Sequence, residues 1–288
     1  MEIIKSPDRM SAWAEARIRA GKRISLVPTM GFFHEGHLCL MRRAAQTADL
    51  VVVSLFVNPI QFGPGEDLDR YPRDMERDAG LAWKEGVAVL FAPAREAMYP
   101  ELPQTRVTVA GLSEGLCGLT RPGHFDGVCT VVAKLFNIVK PATAVFGSKD
   151  YQQLAVIRKM TADLNWNIDI VAHPIVRDHN GLAMSSRNSY LSAEERRSAL
   201  ALVKAIDVAR AMTGRGINDA DRLLAELEII IKMHDNVEIE YLTIVDSRNL
   251  QVQKNVDNQS LLAMAIRVGG TRLIDNAMLF EEAGEFQC

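Results

Sequence analysis

The densest chemistry lies in Pro28-Thr29-Met30-Gly31-Phe32-Phe33-His34-Glu35-Gly36-His37, between an apolar run, Ile24 to Pro28, and a helical pattern, Leu38 to Ala48. A strand–loop–helix joint of this kind is where doubly wound sheets bind nucleotides, at the carboxyl end of a strand. His34 and His37 flank Gly36, which removes a side chain where a phosphate could approach closely. The helix N-terminus adds free backbone N–H groups and a partial positive charge. Two imidazoles placed there can donate hydrogen bonds to an α-phosphate whose charge grows during adenylyl transfer. The plainer alternatives are a metal-binding pair or two surface histidines.

Four further clusters share this character. In Phe56-Val57-Asn58-Pro59-Ile60-Gln61-Phe62-Gly63 the Asn-Pro pair is a turn signal. It leaves Gln61 unexplained, an amide between Ile60 and Phe62, which suits a small ligand with hydroxyls and a carboxylate in an otherwise apolar pocket. Arg121-Pro122-Gly123-His124-Phe125-Asp126-Gly127 reads equally as a loop capped by Asp126, and the following Val128, Val131 and Val132 share a helix face, more often core than pocket. In Phe146-Gly147-Ser148-Lys149-Asp150-Tyr151-Gln152-Gln153, Lys149 at a helix start opposes the helix dipole unless an anion offsets it. Asp150 can cap that helix. Gln153, one turn in, could face the same pocket as Gln61. Gly181-Leu182-Ala183-Met184-Ser185-Ser186-Arg187-Asn188 offers two hydroxyls and a guanidinium, donors suited to a triphosphate, or else a polar loop between domains.

The elements that must position these groups alternate. Ile24–Pro28, Val51–Val57, Val87–Phe91, Thr143–Phe146 and Ile168–Val171 read as strands, with helical stretches between them, including Val128–Val139 and Tyr151–Leu164. The alternation predicts an α/β fold, a doubly wound parallel sheet with helices on both faces. Near Pro174 the pattern changes. Helices over Ala193–Met212, opened by a Ser192/Glu195 capping box, and Asn218–Met233 precede strands at Val237–Val245, Leu261–Val268 and Arg272–Ile274. Residues 1–174 therefore read as a nucleotide-binding domain and 175–288 as a smaller α+β C-terminal domain.

Composition narrows the class. The 288 residues are 48% hydrophobic and 24% charged, with net charge −3. This is the balance of a folded protein without the basic excess of a nucleic-acid binder, so any anionic ligand needs a local site. No apolar run approaches the roughly 20 residues of a membrane helix, and Met1-Glu2-Ile3-Ile4-Lys5 does not start like a signal peptide. The four cysteines are scattered without a CxxC pair, which argues against a cysteine metal site. A cytosolic location is the simplest reading.

Taken together, PTMG…HEGH, FVNPIQFG, YPRD, GHFDGV…VVAKLFNIVKP, KDYQQL and GLAMSSRN resemble the pantothenate synthetase family from about Ile24 to Leu191 and onward. Its core is a Rossmann-like nucleotidyltransferase sheet. HEGH is similar to the HIGH signature of class I aminoacyl-tRNA synthetases, and MSSRN occupies the place of their KMSKS loop. The resemblance implies that pantoate attacks the α-phosphate of Mg-ATP, and that β-alanine then takes the acyl group from pantoyl adenylate. It implies that His34, His37, Lys149 and Arg187 are catalytic. Met30, Gly36, Gly147, Asp150, Val176, Met184, Ser185 and Ser186 would complete the ATP site. Gln61 and Gln153, with Met30 beside them, would hold pantoate, and Phe62, Val128, Val131 and Val132 would shelter its methyl groups. Asp78 matches an acidic position near the magnesium. A homodimeric lid enzyme with no nucleic-acid or membrane partner is expected.

The sequence departs from the family pattern in places. Ser148 stands where Glu is usual, Phe32-Phe33 where Ala-Leu is commoner, Cys39 where Ser is common, and Arg77 directly precedes Asp78. Two other classes compete: a nucleotidyltransferase that stops at an adenylated or cytidylylated product, and a nucleotide-binding module without catalysis. The glutamines weigh against the first, and the convergent donors against the second.

Overall fold

Ser6 caps the first helix, its hydroxyl accepting the Arg9 N–H at 3.3 Å, with Pro7 in the first helical position where the missing N–H costs nothing. The computed structural model describes residues 1–101 and 103–280. Six strands form one parallel sheet: β1 (Glu2–Ile4), β2 (Ile24–Thr29), β3 (Leu50–Leu55), β4 (Val89–Phe91), β5 (Thr143–Gly147) and β6 (Asp169–His173), in the order β1-β4-β3-β2-β5-β6. Three more, β7 (Val237–Asp246), β8 (Ser260–Val268) and β9 (Thr271–Met278), form an antiparallel sheet. The helices are α1 (Pro7–Arg19), α2 (Glu35–Ala45), α3 (Met75–Lys84), α4 (Arg95–Met98), α5 (Cys117–Thr120), α6 (His124–Val139), α7 (Tyr151–Asp163), α8 (Ala193–Ala199), α9 (Ala201–Gly214) and α10 (Ala220–Lys232).

Strand residues alternate between two cores, as the pleat requires. Leu26, Val52, Ala144 and Phe146 pack with α1, α6 and α7, whereas Val27, Val51, Val53 and Val145 pack with α2 and α3. Both faces of the sheet are thus covered, which is why its strands read as continuous apolar runs. A third core joins α9 and α10 to the small sheet through Leu202, Leu223, Leu227, Leu262 and Met264.

Strand order decides where a ligand fits. From β2 the chain steps outward through β3 to β4, then returns to lay β5 on the other side of β2. The order reverses between β2 and β5, and the crevice beyond the carboxyl ends of those strands is the expected binding place. His34 and His37 follow β2, and Lys149 follows β5.

The fold class holds, with three differences of detail. The helix expected over Ala193–Met212 breaks at Leu200, which ends α8 and starts α9; its capping box is present, Ser192 and Glu195 exchanging hydrogen bonds. The short strand expected at Arg272–Ile274 runs eight residues, because Asp275 and Asn276 are buried within it at 2% and 7% exposure. Edge strand β1 is an addition to the expected set, too short at three residues to show a pattern. Of the expected C-terminal domain, residues 281–288 lie outside the described part.

Helix α6 depends on a close approach of two backbones. A Cβ at Gly127 would lie 2.4 Å from the Ile60 carbonyl oxygen and 2.6 Å from the Gln61 Cα. Both are backbone atoms of the turn Pro59–Gln61, so neither can swing aside. Gly127→Ala is expected to destabilise the fold by about 1–3 kcal/mol, the usual range for overpacking, read as a lower urea midpoint. An unchanged midpoint would show that the turn yields.

Candidate active site

The crevice at the switch point is a cleft of about 240 Å³. The loop after β2 contributes Met30 and His34 to its wall, the first turn of α2 contributes Gly36 and His37, the turn after β3 contributes Gln61, and α6 contributes Val128, Val131 and Val132. From beyond β5 come Gly147, Lys149, Asp150 and Gln153, and from beyond β6 come Val176, Met184, Ser185, Ser186 and Arg187. Residues from opposite ends of the large sheet's sequence thus share one cavity.

Two expected residues lie outside this lining. The Phe62 ring packs against Tyr71 at 6.2 Å between centroids, edge to face, and is not part of the cleft wall. Asp78 is 1% exposed, and its Oδ2 and Oδ1 accept the backbone N–H groups of Phe32 (2.6 Å) and Phe33 (2.7 Å). With both oxygens so engaged it supports the histidine loop from beneath, and a role as direct metal ligand does not fit its placement. Its neighbour Arg77 donates to the Phe33 carbonyl at 2.8 Å and lies over the Phe32 ring at 5.3 Å. Two departures from the family pattern, Phe32 and Arg77, therefore touch each other.

The imidazoles are close partners, with ring centroids 4.1 Å apart. His37 Nδ1 accepts the His34 backbone N–H at 3.3 Å, which leaves the ring proton on Nε2 as a donor. His34 Nδ1 is buried without a protein partner. The bare Gly36 leaves room for the His34 ring, since a Cβ there would come within 3.0 Å of His34 Cε1 and Nδ1. Burial, then Lys149 and Arg77, push His34 down to about 4. His37 is held well below its ordinary value by burial, then by His34 and Lys149. Both are neutral donors at pH 7.

Gln61 is partnered before any ligand arrives. Its Oε1 accepts from Asn58 Nδ2 at 3.0 Å and its Nε2 donates to Met30 Sδ at 3.1 Å. Asn58, which in sequence reads as turn punctuation, is a buried hub: it also donates to the Gly127 carbonyl (3.0 Å) and accepts from the Tyr99 hydroxyl (2.8 Å). Gln152 is fully structural, bonding the Cys117 N–H and the Leu112 and Gly115 carbonyls, while its neighbour Gln153 faces the cleft. Asp150 sits at the N-cap of α7 but makes no capping hydrogen bond.

The arginines are tied to carboxylates of the loop between Phe62 and Asp74. Arg187 grips Asp67 with two bonds of 2.7 and 2.8 Å, and Arg121 grips Glu66 with two of 2.7 Å. Burial opposes ionisation of Asp67, yet the Arg187 bonds outweigh it and hold the carboxyl below its usual range. Arg121 and His124 line the cleft without having been singled out as ligands, and His124 Nδ1 meets the Gln61 carbonyl oxygen at 2.8 Å. Burial, then Arg121, push His124 down to about 4. No spacing rule ties Glu66 or Asp67 to these partners, so only the fold reveals them.

A doubly wound parallel sheet whose switch point gathers neutral imidazoles, a lysine and hydroxyls in one crevice has the architecture of a nucleotide-binding enzyme. Comparison with known proteins narrows that class. Residues 2–278 match the family model described as Pantoate-beta-alanine ligase. The chain is 50% identical over 282 residues to the pantothenate synthetase of Syntrophus aciditrophicus, covering 98% of this chain and 99% of the relative. Among solved structures, the pantothenate synthetase of Thermus thermophilus superposes with a TM-score of 0.92 at 43% identity, covering 98% of this chain and all of that one. The pantoate–β-alanine ligase of Francisella tularensis, solved with Beta-gamma ATP and β-alanine, superposes with a TM-score of 0.81 at 30% identity, covering 99% and 100%. The chain belongs to the pantoate–β-alanine ligase family and is an enzyme.

The depressed histidines make stability depend on pH. In the unfolded chain they titrate near 6.5, and in the folded protein His34 and His124 titrate near 4. Between those values the unfolded state binds more protons, so stability present above about 6.5 is lost as pH falls towards 4. The melting temperature should therefore drop across that window, and His34→Gln should flatten the drop. Equal slopes in the two proteins between about pH 6 and pH 5 would contradict the assignment for His34.

Proposed function

We propose that this cleft adenylates pantoate with ATP and then transfers the acyl group to β-alanine, giving pantothenate, AMP and pyrophosphate. The observation that carries the reading is the convergence of His34, His37 and Lys149 with Ser185, Ser186 and Arg187 around one cavity whose side wall is Val128, Val131 and Val132. A polar end for a triphosphate meets an apolar wall for a gem-dimethyl acid.

In the first half-reaction a pantoate carboxylate oxygen attacks the α-phosphorus, the bond to the bridging oxygen breaks, and pyrophosphate leaves. Negative charge spreads over the phosphate oxygens as this happens. Neutral imidazole N–H groups and the Lys149 ammonium are donors of the kind that stabilise such charge when held in place beforehand. The hydroxyls of Ser185 and Ser186 and the Arg187 fork bind the departing phosphates. Gln153, and the remaining N–H of Gln61, orient pantoate. In the second half-reaction the β-alanine amine attacks the acyl carbon, loses a proton, and AMP leaves. The ligands of the Francisella relative fit this scheme.

Magnesium enters the same reading as part of the nucleotide. Among the described residues no group of three or more His, Cys, Asp or Glu could hold a metal. A triphosphate-borne Mg²⁺ needs little from the protein, since it keeps several waters. Asp150 is the carboxylate in the cleft lining that would face it, and Asp78 is occupied elsewhere. When bound, the ion would offset phosphate charge. The reading extends to a cytoplasmic homodimer on the family resemblance alone. It also extends to a division at Pro174 in which residues 175–288 form a lid, which the separate core of α9, α10 and the small sheet supports.

Two outcomes test the scheme. Pantoate should support exchange of labelled pyrophosphate into ATP without β-alanine, with AMP accumulating only when β-alanine is added; AMP formation that requires both acids at once, with no adenylate in a single turnover, would remove the two-step mechanism. Lys149→Ala and His37→Ala should each slow adenylation by roughly 10²–10³-fold, as loss of a transition-state donor does elsewhere, with little change in pantoate affinity. Near-normal single-turnover rates would exclude the residue concerned.

A further inference from the structure

The two loops that carry the phosphate-binding groups are held by neighbouring residues of one strand in the other sheet. Asn276, in β9, directs its side-chain amide at the turn Ser148–Asp150. Its Nδ2 donates to the Ser148 carbonyl at 3.0 Å and to the Lys149 carbonyl at 2.8 Å, which uses both of its hydrogens. The residue is 7% exposed, so these bonds form largely out of water. The adjacent Asp275, 2% exposed, takes Arg177 in a two-pronged pair at 2.7 and 2.9 Å. Arg177 then donates to the Gly181 carbonyl at 3.0 Å and bridges Ala183 in an antiparallel backbone contact. The Met184 N–H closes the same turn on the Val176 carbonyl at 2.9 Å, one residue before Ser185.

Successive side chains leave a strand on opposite faces. Asp275 and Asn276 can therefore serve different loops from adjacent backbone positions, and a shift of β9 by one residue would turn each to the opposite face. From these contacts we infer that Asn276 is a positioning residue for Lys149 and Asp275, through Arg177, one for Ser185–Arg187, so that β9 sets the spacing of the two phosphate-binding loops. The inference rests on the proposed role of Lys149 and of residues 185–187.

A group that only braces the fold lowers stability without regard to Lys149. A group that acts by placing the Lys149 ammonium loses its effect once that ammonium is gone. A double-mutant cycle separates the two. Single-turnover adenylation and pantoate KM are measured for the full-length wild type, Asn276→Leu, Lys149→Ala and the double variant. A displacement of about 1 Å can cost roughly 10²-fold, so Asn276→Leu should lose roughly 10- to 100-fold in rate with pantoate KM within about twofold. In the Lys149→Ala background the same change should cost no more than about twofold, the signature of residues acting as a unit. Equal losses in both backgrounds would overturn the inference while leaving the role of Lys149 intact. A Lys149→Ala enzyme of normal rate would remove the underlying reading and the inference with it. Should Asn276→Leu fail to fold, Asn276→Ser, which shortens the donor without adding apolar bulk, goes through the same cycle with the same criteria.

Discussion

The site depends first on one buried carboxylate. Asp78, in the first turn of α3, lies beneath the loop between β2 and α2 and takes two successive backbone N–H groups, those of Phe32 and Phe33. Such a pair of charge-assisted bonds is strong and directional. It holds the chain in a conformation it would otherwise avoid, with Gly31 at φ 89° and Phe32 at φ 54°. For a residue with a Cβ, a left-handed backbone costs on the order of 1–2 kcal/mol. The loop tolerates this because Arg77 fixes the Phe33 carbonyl from the same helix turn, and because the Phe33 ring is wholly buried. His34 then falls at the N-cap of α2 and His37 one turn in. Helix α3 contributes no residue to the cleft wall and yet determines where both imidazoles sit.

Much of this is legible in the sequence, for an identifiable reason. An apolar run ending in Pro-Thr-Met-Gly and followed by a helical pattern can hardly be anything but a strand–loop–helix joint, and the same holds for Phe146-Gly147-Ser148-Lys149. Such joints in a doubly wound sheet lie on one edge, so residues attached to them converge whatever the remaining fold. Pairings over long separations are illegible. Arg187 and Asp67 are 120 positions apart, and nothing in the local pattern of either announces the other. Asn58 resembles a turn residue because Asn-Pro is a turn signal, and its side-chain role at the centre of a buried network leaves no trace in the spacing. In sequence, strand β9 reads as ending at Ile274 because Asp-Asn ordinarily interrupts a strand. Here those two polar side chains continue it, each satisfied by a partner outside the small sheet.

The cleft manages charge by pairing. Arg121 and Arg187 both line it, and each is bound to a carboxylate of a single loop through two parallel bonds. The histidines are kept neutral by burial and by the cations around them. Before ligand arrives, the cavity thus presents hydrogen-bond donors with little uncompensated positive charge besides Lys149.

The Arg187–Asp67 pair has a thermodynamic consequence of its own. A guanidinium whose Nε–Nη2 edge is already taken by a carboxylate is not an empty receptor. Any phosphate that claims the same N–H groups replaces one anion by another, so the free energy gained is the difference between two ion pairs. Occupancy of Arg187 and attachment of the Asp67 loop are then opposite sides of one equilibrium, and by reciprocity whatever strengthens one weakens the other to the same degree. The Asp67 carboxylate is in this sense an intramolecular competitor tethered at fixed concentration, and any anion that took its place would gain only what the exchange leaves over.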